Sequence, residues 1–288
     1  MNISLGFSPC PNDTFIFDAL IHHKIDTEGL TFDVSFHDVE TLNQMAMRGE
    51  LDVTKLSFNA FAHVIDKYAL LDAGSALGFG VGPLLICKQD RLEQIEEELK
   101  NSSPKLSVAI PGKYTTANFL LGIAYPNLLN KKEIPFNEIE NAVIDNSIDI
   151  GLIIHENRFT YQDKGLAKIL DLGSHWEQQT NCAIPLGGIV VRRDLTVDLQ
   201  QKVNRLIRKS VEYAFANPQS GIDFIREHAQ EMVEEVMYKH IELYVNQYSI
   251  DLGEEGKKAI DTLFRIAKEN NIIPPFVESI YASNNNPD

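Results

Sequence analysis

The chain has 288 residues, 44% of them apolar and 23% charged, which is ordinary globular composition with enough apolar content for one large core or two. A net charge of −15 excludes nucleic acid and anionic membranes as main partners, because both require a basic face, but it leaves open a small anion bound in a local pocket. Cys10, Cys87 and Cys182 form no CxxC pair and cannot make a complete disulfide framework, and no segment reaches the roughly 20 apolar residues of a membrane helix.

Residues Met1–Phe7 have no basic region and no apolar run of signal-peptide length, so they read as a strand of the mature fold in a protein expected in the cytoplasm. Pro9, Pro11 and the Asn12-Asp13-Thr14 cluster follow, and the cluster is suited to capping a helix from about Phe15 to His23. Leu30–His37 alternates as a strand does, Glu40–Arg48 is helical and stops at Gly49, and Leu51–Leu56 is strand-like. Phe58–Tyr68 then places Phe58, Phe61, Ala62 and Ile65 on one helical face. Alternating βα units favour a largely parallel sheet covered by helices.

Near residue 78 the pattern changes. Gly78-Phe79-Gly80-Val81-Gly82-Pro83 lacks GxGxxG spacing and opens no helix, so it reads as a crossover and not as a dinucleotide loop. A second α/β region runs to about residue 186 and repeats the first. Leu42–Val53 resembles Ile139–Ile150 at an offset of 97 residues, with a Gly or Asn stop and an apolar-Asp-apolar strand entry in both. Leu5–Phe17 resembles Ser107–Phe119 at an offset of 102 when Pro9 is set against Pro111. After Ile184–Val191 the chain is mainly helical, over Leu195–Ala216, Pro218–His228, Glu231–Val245 and Glu254–Lys268, and Ser283–Asp288 forms a polar tail. The expected architecture is a larger lobe of 1–84 and 188–288 with a smaller lobe, 85–187, inserted. The two crossings, near 82–86 and 185–190, would act as a hinge around a ligand cleft.

In open parallel sheets ligands bind beyond the carboxyl ends of strands, at the helix N-termini that follow. The repeat marks two such termini. One is Ser8–Thr14, where Asn12 and Asp13 are capping groups or partners of a ligand hydroxyl, and Cys10 is a packed thiol. The other is Pro111–Ala117, where the Thr115 and Thr116 hydroxyls add donors to a helix dipole suited to an anion. The offset of 97 sets Phe58 against His155, so the strand ends at Lys55-Leu56-Ser57 and Ile153-Ile154-His155-Glu156 would face the same cleft. Histidine titrates near neutral pH and suits general acid–base work. Glu156 either orients the ring or caps the next element, and Lys55 is either a ligand-binding cation or a solvated charge. No His/Cys cluster has zinc spacing, and there is no GxSxG elbow or P-loop.

The strings Ser8-Pro9-Cys10-Pro11-Asn12-Asp13-Thr14-Phe15, Thr54-Lys55-Leu56-Ser57, Pro111-Gly112 with Thr115-Thr116-Ala117, and Leu152-Ile153-Ile154-His155-Glu156 resemble those of the 1,4-dihydroxy-6-naphthoate synthases of the futalosine route to menaquinone. The resemblance implies the two-lobed, type II fold of periplasmic binding proteins, each lobe a mixed α/β sheet flanked by helices. It implies conversion of cyclic dehypoxanthine futalosine to 1,4-dihydroxy-6-naphthoate with no metal or organic cofactor. It also implies His155 as the catalytic base and Ser57, Thr115 and Thr116 as ligand-holding positions. Two other functions suit such a fold: a solute-binding protein for a small anion, and the sister enzyme chorismate dehydratase. Absence of an export signal disfavours the first, and the SPCPNDTF and IHE strings disfavour the second.

Overall fold

A computed structural model describes residues 1–155, 157–229, 233–276 and 279–282. The chain forms two compact units, one of Met1–Gly78 with Pro185–Asp288 and one of Phe79–Ile184.

The first unit begins with β1 (Asn2–Phe7), α1 (Pro11–Ile21), β2 (Thr31–Phe36), α2 (Val39–Arg48), β3 (Val53–Ser57), α3 (Phe58–Phe61), β4 (Tyr68–Leu70) and β5 (Ala76–Gly78). The second contains β6 (Leu84–Lys88), α4 (Leu92–Leu99), β7 (Val108–Ile110), α5 (Thr116–Ala124), β8 (Lys131–Glu133), α6 (Ile139–Ile144), β9 (Ile150–Ile153), α7 (Asn157–Thr160), β10 (Leu166–Asp171) and α8 (Leu172–Thr180). Strand β11 (Ile184–Arg192) returns to the first unit, which α9 (Val197–Ala216), α10 (Ile222–His228), α11 (Glu234–Tyr244), α12 (Gln247–Ile250) and α13 (Gly253–Glu269) complete.

The sheet of the first unit has the order β2-β1-β3-β11-β4, with β5 also on β11; that of the second has the order β8-β7-β9-β6-β10. The two orders correspond strand for strand. In each, the first three strands are parallel and the fourth is antiparallel to the third. The register corresponds as well: Leu5 pairs with Val53 and Gly6 with Thr54, as Val108 pairs with Ile150 and Ala109 with Gly151. Both β3 and β9 are buried along their whole length, as strands covered on both faces must be.

A three-bond clip fixes that register in both units. The Ser4 N–H and hydroxyl donate to Asp52 Oδ2 at 2.9 Å each, and the Asp52 N–H donates to Ser4 Oγ at 2.8 Å. Ser107 and Asp149 repeat all three bonds at 2.8, 2.7 and 3.0 Å. Burial raises the Asp149 pKa, but the Ser107 bonds and Arg91, 3.0 Å away, outweigh it and hold the carboxyl below its ordinary value. The helix stops match too. Gly49 (φ 71°) and Asn146 (φ 58°) are both left-handed, and their N–H groups donate to Ala46 and Val143 at 3.0 and 3.1 Å.

Several elements differ from the sequence expectation. Helix α1 starts at Pro11, not Phe15, because proline favours the first helical position. Asn12 and Asp13 therefore lie inside the first turn, and the N-cap, Cys10, makes no side-chain capping bond. Helix α3 is one turn long instead of reaching Tyr68, since His63 and Val64 bond back only three residues and the chain leaves for β4. The first passage between units comes after Gly78, ahead of the expected 82–86, because Gly80–Pro83 is already built into the second unit. There Gly80 N–H donates to Glu177 at 2.7 Å, and Arg158 Nη1 donates to the Gly82 carbonyl at 2.9 Å. A Cβ on Gly82 would lie 2.2 Å from Gly173 Cα, so only glycine permits this backbone approach. The chain returns to the first unit at Pro185.

Each unit has its own apolar core, built in the first around Phe7, Phe17, Ile189 and Ile207, and in the second around Ile86, Ile139, Ile153 and Tyr161. All three cysteines are buried and none is in a disulfide among the described residues, and burial pushes the Cys87 thiol up to about 11. Among the described residues no helix is long and apolar enough to cross a membrane, and no His, Cys, Asp and Glu group has the arrangement of a metal site. The expected tail, Ser283–Asp288, lies outside the described residues.

Candidate active site

In the first unit Asn12, Asp13 and Lys55 converge in one buried network. Asp13 is 1% exposed and Lys55 6%. Asp13 Oδ2 accepts from the Ser8 N–H at 3.2 Å and the Ser8 hydroxyl at 2.7 Å, and Oδ1 accepts from Asn12 Nδ2 at 2.8 Å and Lys55 Nζ at 3.0 Å. Four bonds fill the acceptor positions of a carboxylate. Lys55 also donates to the Gly74 carbonyl at 3.2 Å. The Lys55 cation is therefore neither solvated nor a lone positive charge; it is half of a buried ion pair.

The network extends to a residue that no local sequence feature singles out. His240 on α11 is fully buried, with Nε2 2.9 Å from Asn12 Oδ1. Because Asn12 presents its nitrogen to Asp13, its oxygen is the acceptor and His240 Nε2 the donor. His240 is 228 positions from Asn12 and was embedded in an ordinary amphipathic helix, so only tertiary structure reveals the pairing.

Ser57 ends β3 in a separate polar pair. Asn43 on α2 accepts from the Ser57 N–H on Oδ1 at 3.1 Å, and its Nδ2 donates to Ser57 Oγ at 3.3 Å and to Glu40 Oε2 at 3.2 Å. Asn43 is wholly buried.

In the second unit Thr115 is the N-cap of α5. Its hydroxyl accepts from the Asn118 N–H at 3.2 Å and donates to the Gly112 carbonyl at 2.8 Å. Thr116 follows at the first helical position, buried. The N–H groups of Thr116 and Ala117 precede the one the cap takes, at the positive end of the helix dipole.

His155 stands two residues beyond β9, half-buried, with its backbone left-handed at φ 57°. The Phe136 ring meets the imidazole edge-on, centroids 5.0 Å apart. Non-glycine residues adopt this backbone region uncommonly, histidine more readily than most. Glu156 lies outside the described residues. Just beyond it, Asn157 opens α7 and donates from Nδ2 to Glu140 Oε2 at 2.9 Å, an oxygen that also accepts from Lys164 Nζ at 2.7 Å. Glu140 was another residue the sequence did not mark as functional, although the repeat already set it against Asn43.

Comparison with known proteins agrees with this architecture. A family model described as menaquinone biosynthesis matches residues 3–269. The chain is 43% identical over 273 residues to the 1,4-dihydroxy-6-naphtoate synthase of Thermus thermophilus, covering 95% of this chain and 96% of that one. It is 40% identical over 277 residues to the enzyme of the same name from Streptomyces coelicolor, covering 94% and 95%. A crystal structure of an Archaeoglobus fulgidus protein superposes with a TM-score of 0.86 at 34% identity, covering 94% of this chain and 98% of that one. The periplasmic aliphatic sulphonate binding protein of Escherichia coli matches at a TM-score of 0.63 but only 9% identity, which shows the fold alone. The chain therefore belongs to the 1,4-dihydroxy-6-naphthoate synthase family of menaquinone biosynthesis, an enzyme family with the periplasmic-binding-protein-like fold.

Proposed function

We propose that this chain converts cyclic dehypoxanthine futalosine to 1,4-dihydroxy-6-naphthoate, with His155 as the general base. The observation that carries the activity is the pair of relatives bearing that enzyme's name, each matched at 40% identity or more along almost the whole of both chains. Support for His155 is its place beyond a buried parallel strand, in a left-handed backbone, with one ring edge against Phe136. Releasing the bicyclic acid from its sugar-derived part needs a proton removed and a bond cleaved to leave an aromatic product, which is work for one positioned base.

Ser57, Thr115 and Thr116 hold the substrate, whose aromatic carboxylate suits the N-terminal end of α5. Asn12 keeps one N–H beyond its bond to Asp13, and Lys55 keeps one donor beyond Asp13 and Gly74, so both can still meet a substrate oxygen. Asp13, with its acceptor positions filled, serves by fixing those two. The reaction takes place in the cytoplasm.

Incubation of the protein with cyclic dehypoxanthine futalosine should yield the naphthoate, followed by absorbance and mass. His155→Ala should abolish turnover and still bind substrate. An inactive wild-type protein defeats the proposed activity, and an unimpaired His155→Ala defeats the assigned base.

A further inference from the structure

Asn43 and Glu140 occupy the same place in the two units. They are separated by the offset of 97 that relates Gly49 to Asn146 and Asp52 to Asp149, and they are the fifth and the second residue of the helix before the third strand of each repeat. Both are buried, Asn43 at 0% exposure and Glu140 at 3%. Asn43 holds the chain at the end of that strand, and Glu140 holds it four residues past the end. Asn43 grips Ser57, the last residue of β3; Glu140 grips Asn157, the first residue of α7.

We propose that Glu140 is the positioning residue for His155. Its carboxylate ties Asn157 and Lys164 to α6, while Phe136, in the turn leading into α6, packs on the imidazole itself. The loop that carries His155 is thus held at the ring by the turn before α6 and, two residues further on, by α6 itself. A left-handed backbone at a non-glycine residue persists only where its surroundings over-determine it, and this clamp supplies that constraint. The clamp is charged where its counterpart Asn43 is neutral. Glu140 Oε1 is buried and has no hydrogen-bond partner among the described residues, so the carboxylate is retained at a cost that packing alone does not explain.

The inference rests on the reading of His155 as the base. The test is steady-state turnover of cyclic dehypoxanthine futalosine by Glu140→Gln, Asn157→Ala and Lys164→Met, alongside His155→Ala. Gln keeps the shape and one acceptor but loses the charge. A displaced base costs rate and spares binding, so kcat should fall on the order of tenfold to a hundredfold with KM changed less than about threefold. The double variant Glu140→Gln/Asn157→Ala should be no slower than the worse single one. Lys164 is half-exposed, and its variant, which keeps the fold if Glu140→Gln does not, should show a smaller kcat loss of the same kind. Wild-type kcat in folded Glu140→Gln, or in both other variants should it fail to fold, overturns the inference. So does a change confined to KM. If His155→Ala retains full activity, the assignment of the base fails first, and the two failures are told apart.

Discussion

Replacing Lys55 by Met separates two roles for its charge. Both partners of the Lys55–Asp13 pair are more than nine-tenths buried, 3.0 Å apart. Removing the ammonium leaves Asp13 ionised with three of its four donors, Ser8 N–H, Ser8 Oγ and Asn12 Nδ2, and leaves the Gly74 carbonyl without its lysine. Breaking a buried pair costs about 3–5 kcal/mol, and the three remaining donors put this case at the lower end, about 3 kcal/mol. Asp13→Asn alone should cost about as much, whereas the double variant leaves no uncompensated charge and should fall about 2 kcal/mol short of the sum. Urea unfolding, with the slope checked for constancy, measures all four corners of the cycle. A Lys55→Met loss under about 1 kcal/mol, or additivity of the two changes, would refute a structural pair. A raised KM at unchanged stability would instead make Lys55 purely a ligand cation.

Three further outcomes follow from the geometry. At His155, φ 57° predicts that Asn, which tolerates the left-handed region, keeps stability, while Val loses about 1–2 kcal/mol; equal unfolding midpoints for the two would contradict the backbone conformation. The Asp149 carboxyl lies below its ordinary value in the folded chain, so its contribution is present above the unfolded pKa of about 3.9 and is lost as pH falls through the folded value. The stability gap between wild type and Asp149→Asn should accordingly be full at neutral pH and close below about pH 4, and a gap that widens on acidification would reverse the sign. Gly82→Ala would place a methyl 2.2 Å from Gly173 Cα, backbone against backbone, and should destabilise the second unit by about 3 kcal/mol, the upper end for overpacking; thermal unfolding with no shift would count against that contact.

Much of the fold was legible because it is written twice. The Gly49 and Asn146 stops and the Asp52 and Asp149 strand entries are local signals that recur at the offset of 97, and the first βα unit recurs at 103 by its Ser4 and Ser107 clips, one more than the proline match predicts. Boundaries were less legible where two local rules compete. Asn12-Asp13-Thr14 has capping chemistry, but Pro11 before it takes the first helical position and draws the helix start back. The Phe58–Ile65 spacing fits a helix, yet the same buried residues serve a single turn followed by tightened bends. Least legible were the partners. Lys55 meets Asp13 across 42 positions and His240 meets Asn12 across 228, and nothing in either neighbourhood encodes a distant counter-charge or acceptor.

The repeat also separates what serves the fold from what serves a reaction. A residue needed only to set strand register should recur in both units, and the Ser4–Asp52 and Ser107–Asp149 clips do so bond for bond. A residue needed by the chemistry has no reason to recur in a unit that lacks that step. The divergent pairs are therefore the informative ones. Phe58, fully buried, corresponds to the half-buried and left-handed His155, and neutral Asn43 corresponds to charged Glu140. Two divergences on one scaffold, one beyond the third strand of the repeat and one in the helix before it, joined through Phe136 and Asn157, are better explained by one altered function than by two independent drifts. Exchanging Glu140 for the Asn of the first unit tests that link: Asn is one methylene too short to reach Asn157, so turnover should fall in the folded variant while the Ser107–Asp149 clip still sets the register of the sheet.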